Sequence, residues 1–200
     1  MAPLVHQLRA EPNQFDVLVC VTGQHREMLD QVLRIFEITP DIDLNVMKHG
    51  QDLFDITSLI LNGLREVFST HQPDAVLVHG DTTTTLVTAM AAFYAGISIG
   101  HVEAGLRTYD IYTPFPEEFN RQVTSKVTNW HFAPTNLSRD NLLKEQVPSA
   151  SITVTGNTVI DALFWVLARI DSDSGRQVNL EATLNKSLFF KWKDHKFVLV

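Results

Sequence analysis

Apolar residues along this chain follow two alternating rhythms. Short runs rich in valine and isoleucine read as strands over residues 16–21, 74–79, 97–102, 129–133, 152–155 and 196–200. Between them apolar positions recur at helical spacing, as in Met28, Leu29, Val32, Leu33 and Phe36. That spacing predicts helices over 25–36, 53–68, 82–94, 117–127, 136–146 and 159–170, with a further one over 2–8. Alternation of this kind builds a parallel α/β sheet. The continuously apolar Ala75-Val76-Leu77-Val78 implies a strand buried on both faces, so helices are expected on both sides of the sheet. Gly96 is placed to end a helix in a left-handed conformation.

The periodicity stops at Asp171-Ser172-Asp173-Ser174-Gly175, a polar and flexible stretch. The expected organisation is therefore a first domain over 1–170, a linker over 171–179 and the opening of a second domain over 180–200. The first domain begins on a helix with no strand before it. The last strand reaches the final residue with nothing to pack on it, which matches a piece of a two-domain architecture.

Two hundred residues, 44% hydrophobic and 20% charged, allow one core or one core and part of another, and exclude disorder or collagen. Sixteen Lys plus Arg against 23 Asp plus Glu give a net charge of -7 and a pI near 5.5. No diffuse positive field is available for nucleic acid or an anionic membrane, and an anionic ligand would need a local pocket. Apolar stretches fall short of the ~20 residues of a spanning helix. A single cysteine, Cys20, removes internal disulfides and multi-cysteine zinc sites. With no signal-peptide pattern after Met1, a cytoplasmic location is expected.

Ligands of open parallel sheets bind beyond the carboxyl ends of the strands. Here those ends run into Thr22-Gly23-Gln24-His25-Arg26-Glu27, His79-Gly80-Asp81-Thr82-Thr83-Thr84-Thr85 and His101-Val102-Glu103-Ala104-Gly105-Leu106-Arg107-Thr108. A loop through Pro114-Phe115-Pro116-Glu117-Glu118 leads to Asn120-Arg121. Carboxylates, histidines and arginines thus converge on one sheet edge. Each also has a plainer reading. Asp81 stands where an N-cap is expected, and Glu103, costly to bury alone, has a candidate partner in Arg107. Glu117 and Glu118 suit a helix amino end. His25 and Arg26 suit a solvated helix start, and His131 suits a hydrogen-bonded core position. No G-x-G-x-x-G or P-loop is present, so a dinucleotide or ATP is not supported. His101-Val102-Glu103 lacks the cysteine pair of zinc deaminases. Ser58 and Ser69 lack a nucleophile elbow.

Five segments together resemble the bacterial non-hydrolysing UDP-N-acetylglucosamine 2-epimerases. They are 22–29, 79–85, 101–108, 116–121 and Thr155-Gly156-Asn157-Thr158-Val159-Ile160-Asp161-Ala162, in order and at matching spacing. The resemblance implies two Rossmann-like domains facing each other, as in GT-B glycosyltransferases, and interconversion of UDP-GlcNAc and UDP-ManNAc for cell-envelope polysaccharide precursors. The implied chemistry eliminates UDP to a 2-acetamidoglucal and adds it back with C2 inverted. It places Asp81, Glu103 and Glu117 among the catalytic carboxylates, with their individual roles open, and His79, Thr82, Arg107, Arg121 and Asn157 at the substrate. Gln24, Gln51 and Glu117 match positions associated with a second UDP-GlcNAc acting as activator. Gly50 stands where some relatives have an arginine. The diphosphate is its own leaving group, so neither metal nor NAD is demanded. A homodimer is expected of the full-length form. Family members carry a Gly-Thr-Arg-Pro-Glu loop before the segment matching residues 1–5, and a Gly-His-Arg-Arg-Glu loop and nucleotide-holding domain beyond 197–200. Little turnover is therefore expected of these 200 residues alone. A GT-B-type glycosyltransferase and a non-catalytic nucleotide-sugar-binding fragment are the competing readings.

Overall fold

Strand and helix alternate through most of the computed structural model, which describes residues 1–23, 26–48, 50–188, 190, 192–194 and 196. The chain divides into two compact units, Met1–Thr158 and Val159–Val200. The first contains α1 (Ala2–Arg9), β1 (Cys20–Val21), α2 (Arg26–Ile35), β2 (Ile42–Asp43), α3 (Leu53–His71), β3 (Ala75–His79), α4 (Thr83–Tyr94), β4 (Ser98–Val102), α5 (Glu117–Val127), β5 (Trp130–Ala133), α6 (Asn136–Lys144) and β6 (Ile152–Val154). Helix α7 (Thr158–Asp171) starts at its last residue. Among the described residues no helix is long and apolar enough to cross a membrane.

Among the described residues all pairing is parallel: β1 with β2 in a short ladder, and β3-β4-β5-β6 in sequential order in a four-stranded sheet. The register aligns Val78 with His101, and His101 with His131. In β4 the consecutive residues Ile99, Gly100, His101 and Val102 are all buried, and because neighbouring residues point to opposite faces, both faces of this strand are covered. Expected continuous burial of 75–78 is not seen. Val78 is buried but Ala75 is exposed, because β3 stands at an edge of the described sheet. The strand expected over 16–21 is reduced to Cys20–Val21, since the ladder with β2 extends only that far.

Helix boundaries follow local chemistry. Asp52 and Asp55 form a reciprocal capping box at the start of α3, whose Ile60, Leu64 and Phe68 make a buried stripe at four-residue spacing. That stripe joins Val87, Ala89, Ala92, Val78 and Ile99 in the main core. Gly96 takes φ +72 after α4, as its position predicts. Helix α5 departs from the usual pattern: its buried residues are Glu118, Asn120, Arg121, Thr124 and Ser125. Such a polar inner face must find internal partners.

Within the second unit, α8 (Ser174–Ser187) begins inside the stretch expected to be flexible. Asp173 caps it, accepting from Arg176 N at 3.0 Å, so only residues 172–173 separate the two helices. Arg169 stacks over Trp165 at 4.8 Å in α7. Of the strand expected over 196–200, residues 197–200 lie outside the described residues.

Candidate functional site

The carboxyl ends of β3, β4 and β6 and the amino end of α5 bring most of the expected residues together within the first unit. Gly80, at φ +69, turns the chain out of β3. Its N–H donates to the Val102 carbonyl at 3.0 Å, and its own carbonyl accepts from His101 Nε2 at 2.7 Å. A carbonyl only accepts, so the His101 proton is on Nε2 and Nδ1 is a bare acceptor. That Nδ1 is buried without a partner, as is His131 Nδ1 on the neighbouring strand.

Asp81 is not the N-cap. The helix begins two residues later, at Thr83, and Thr82 caps it by accepting from Thr85 N at 3.3 Å. Freed from that role, the Asp81 carboxylate accepts from Arg121 Nη1 at 3.0 Å, and its backbone carbonyl accepts from Asn120 Nδ2 at 2.8 Å. Burial pushes the Asp81 pKa above its ordinary value; Arg121 opposes the shift, and the negative charges of Glu117 and Glu103 reinforce it. Three carboxylates from three separate elements therefore act on one site.

Glu103 leaves β4 in the left-handed region, at φ +68, a conformation that costs a non-glycine residue about 1 kcal/mol or more. The turn carries its carboxylate over Gly80, where a Cβ would lie 3.5 Å from Oε2. Its neighbours there are Asn157 Nδ2, donating at 3.3 Å, and His79 Nε2 at 3.7 Å. Burial, with the chain's amino terminus, pushes the His79 pKa down, while Glu103 and Asp81 pull it up.

Arg107 does not partner Glu103. Its side chain is 0% exposed and forks onto Glu145, with Nε to Oε1 at 2.6 Å and Nη2 to Oε2 at 2.9 Å. Further donations reach Ser125 Oγ at 2.8 Å and the Leu106 carbonyl at 2.7 Å. With its planar donors so used, Arg107 braces the α5–α6 region. Arg121 is likewise engaged, by Glu118 as well as Asp81. Gln51 braces its own loop, donating to the Val46 carbonyl at 2.8 Å and accepting from Lys48 N. Gln24 and His25 lie outside the described residues.

Glu118, Asn120 and Glu145 were given no site role by the sequence pattern. For Glu118 and Asn120 the signal is the polar run Glu118, Asn120, Arg121, Thr124, Ser125 in a helix whose inner face would otherwise be apolar; Glu145 lies outside that helix and has no such signal. Among the described residues no group of three or more His, Cys, Asp and Glu side chains is arranged to hold a metal ion. The cluster offers carboxylates in unlike surroundings: Asp81 on a guanidinium, Glu103 on an amide and an imidazole, Glu117 at a helix start. Pairs whose environments differ can divide proton donation and acceptance between them.

Comparison with known proteins bears on the family. A family model described as UDP-N-acetylglucosamine 2-epimerase matches residues 6–200. A UDP-N-acetylglucosamine 2-epimerase of Salmonella typhimurium is 55% identical over 100% of this chain and 52% of its own length. Its Yersinia pestis counterpart is 59% identical over 90% of this chain and 48% of its own. Among solved structures, the Neisseria meningitidis UDP-GlcNAc 2-epimerase bound to UDP-GlcNAc superposes with a TM-score of 0.86 at 51% identity, covering 92% of this chain and 50% of that one. The Methanocaldococcus jannaschii enzyme in complex with UDP-GlcNAc and UDP gives 0.83 at 31% identity, over 94% and 50%. The chain thus spans about half the length of the curated relatives it matches. A match this long, on a parallel α/β unit with its carboxylates gathered at the strand ends, places the chain in the UDP-N-acetylglucosamine 2-epimerase family.

Proposed function

We propose that this chain is the amino-terminal domain of an enzyme that interconverts UDP-GlcNAc and UDP-ManNAc. The carrying observation is the meeting of Asp81, Glu103 and Glu117 from three elements at one sheet edge. The hydrogen on sugar C2 is too weakly acidic to be removed alone. Coupling its removal to departure of UDP from C1 gives a 2-acetamidoglucal, and return of a proton to the opposite face inverts C2 before UDP adds back. Departure of UDP builds positive charge on the sugar, which a carboxylate stabilises, and the two faces of C2 need separate proton-transfer groups. Asp81, with its raised pKa, suits holding and returning a proton. Glu103 and Glu117 supply negative charge and a second acid or base. His79, Thr82 and Asn157 line the same edge as substrate contacts, whereas the Arg107 donors are committed to Glu145.

The same reading includes a homodimer in the full-length form, a second UDP-GlcNAc as activator near Gln24, Gln51 and Glu117, a cytoplasmic location and service to envelope polysaccharide synthesis. Domain boundaries near 170 and 180 belong to it too. The test is conversion of UDP-GlcNAc in D2O by the full-length protein containing this sequence. Deuterium at C2 of the UDP-ManNAc formed is expected, and conversion without it would rule out elimination. Transfer of the sugar to an acceptor with no epimer formed would indicate a glycosyltransferase instead.

A further inference from the structure

We propose that Glu118 and Arg121 form a charge-cancelled clamp that positions the Asp81 carboxylate, making Arg121 a positioning residue instead of a substrate ligand. The proposal rests on the reading of Asp81 as a catalytic group.

Glu118 has a side chain that is 0% exposed, so it meets no substrate. It accepts four hydrogen bonds: from Arg121 Nε at 2.6 Å, Gln122 Nε2 at 2.7 Å, and the backbone N–H groups of Thr108 and Tyr109, each at 3.1 Å. A carboxylate has about four acceptor positions. All are filled, and the group has one orientation. Through Nε it sets the plane of the Arg121 guanidinium, which presents Nη1 to Asp81 Oδ2 at 3.0 Å. Asn120, the preceding residue of the same helix, holds the Asp81 backbone carbonyl at 2.8 Å. The first turn of α5 thus grips Asp81 at main chain and side chain together. It also pins residues 108 and 109, which follow the Glu103 turn.

Charge explains why a glutamate is needed as well as an arginine. A lone guanidinium at this distance would favour the ionised carboxylate and leave Asp81 a poor proton carrier. Glu118 shares the same guanidinium, and its donors outweigh its burial to bring its own pKa down to about 2, so it remains negative and offsets the Arg121 charge. Asp81 sits above its ordinary pKa in spite of the contact, with burial the leading cause and Arg121 the largest opposing one. Arg121 thus orients Asp81 without bringing its pKa below the ordinary value.

The test uses the full-length protein containing this sequence and three variants: Glu118→Gln, Arg121→Lys and the double variant E118Q/R121Q. Removing both members of a buried pair is far milder for folding than removing one, so the double variant separates positioning from stability. We expect kcat to fall by ~10- to 100-fold in Arg121→Lys and in the double variant, with KM nearly unchanged. In Glu118→Gln, 13C carboxyl NMR should show the Asp81 midpoint dropping by about one pH unit, because Arg121 then acts on it undivided. The acid limb of the kcat profile should move with it. A folded double variant or Arg121→Lys with wild-type kcat overturns the proposal, as does an unmoved Asp81 midpoint in Glu118→Gln. In the wild-type protein the Arg121 Nε resonance must titrate with the Asp81 carboxyl; failure there overturns it even if every variant misfolds. Wild-type protein with no C2 deuteration would reject the catalytic reading, while these titrations still decide the clamp.

Discussion

Glu103 and Arg107 lie four residues apart on one connection and end in opposite circumstances. Arg107 is withdrawn from solvent and forked onto Glu145, with Ser125 and the Leu106 carbonyl taking further donors. Glu103 remains a quarter exposed beside His79 and Asn157, and its charge, with that of Glu117, acts on Asp81. The first region pairs opposite charges and satisfies them; it is architecture. The second gathers like charges, holds one of them in a left-handed backbone conformation, and raises a carboxylate pKa. Such an arrangement costs stability, and persists where it serves chemistry.

The paired region should be the more fragile. Glu145→Leu leaves the Arg107 charge buried and unmatched, and should destabilise by about 3–5 kcal/mol in denaturant unfolding. The double substitution R107M/E145L should recover most of that loss. If the single change costs under about 1 kcal/mol, the pair belongs with ordinary surface bridges and the contrast fails.

Beneath both regions, the register partners His101 and His131 offer an acid test. Burial drives each from an ordinary 6.5 down to about 4, so the folded state favours the neutral ring. Stability is therefore complete above pH 6.5 and lost as pH falls from there towards 4, by up to roughly 3 kcal/mol per histidine. Unfolding midpoints measured across that window should decline, and histidine ring NMR should show neither residue protonated at pH 5.5.

Gly105 joins the two regions, at φ +90, with Ser138 O only 2.3 Å from where a Cβ would stand. Gly105→Ala should cost roughly 2–3 kcal/mol, through left-handed strain and collision with α6 backbone. Thermal unfolding would report it. Smallest in stability is Asp81→Asn. Since folding raises the Asp81 pKa, with burial the leading cause, neutralising the side chain should leave stability within about 1 kcal/mol or raise it slightly, while catalysis by the full-length protein falls by ~10²–10⁴-fold. A large stability loss would mean that Asp81 is chiefly an architectural partner of Arg121.

Much of this was legible along the chain. Helix α5 was anticipated over 117–127, and the Gly96 stop was read from residue type alone, because such features depend on local conformation. The capping expectation for Asp81 fails because an aspartate before a threonine run satisfies the capping pattern at more than one position, and the backbone uses Thr82. The pairing of Arg107 with Glu103 fails because its partner, Glu145, is 38 residues away, beyond any local pattern. Glu118 suits a helix amino end by type, and nothing near it in sequence shows that it is buried and bound by four donors.

By itself, then, the sequence determined the strand–helix alternation, the parallel class of sheet, the edge on which chemistry gathers and the family motifs that sit there. These follow from periodicity, turn residues and the rule that strand ends face the ligand. Tertiary structure alone decided which charges are spent. Whether an arginine braces a helix or meets a ligand, and whether a carboxylate is neutralised or crowded, depends on groups brought near in space from distant parts of the chain and on how much water is left around them.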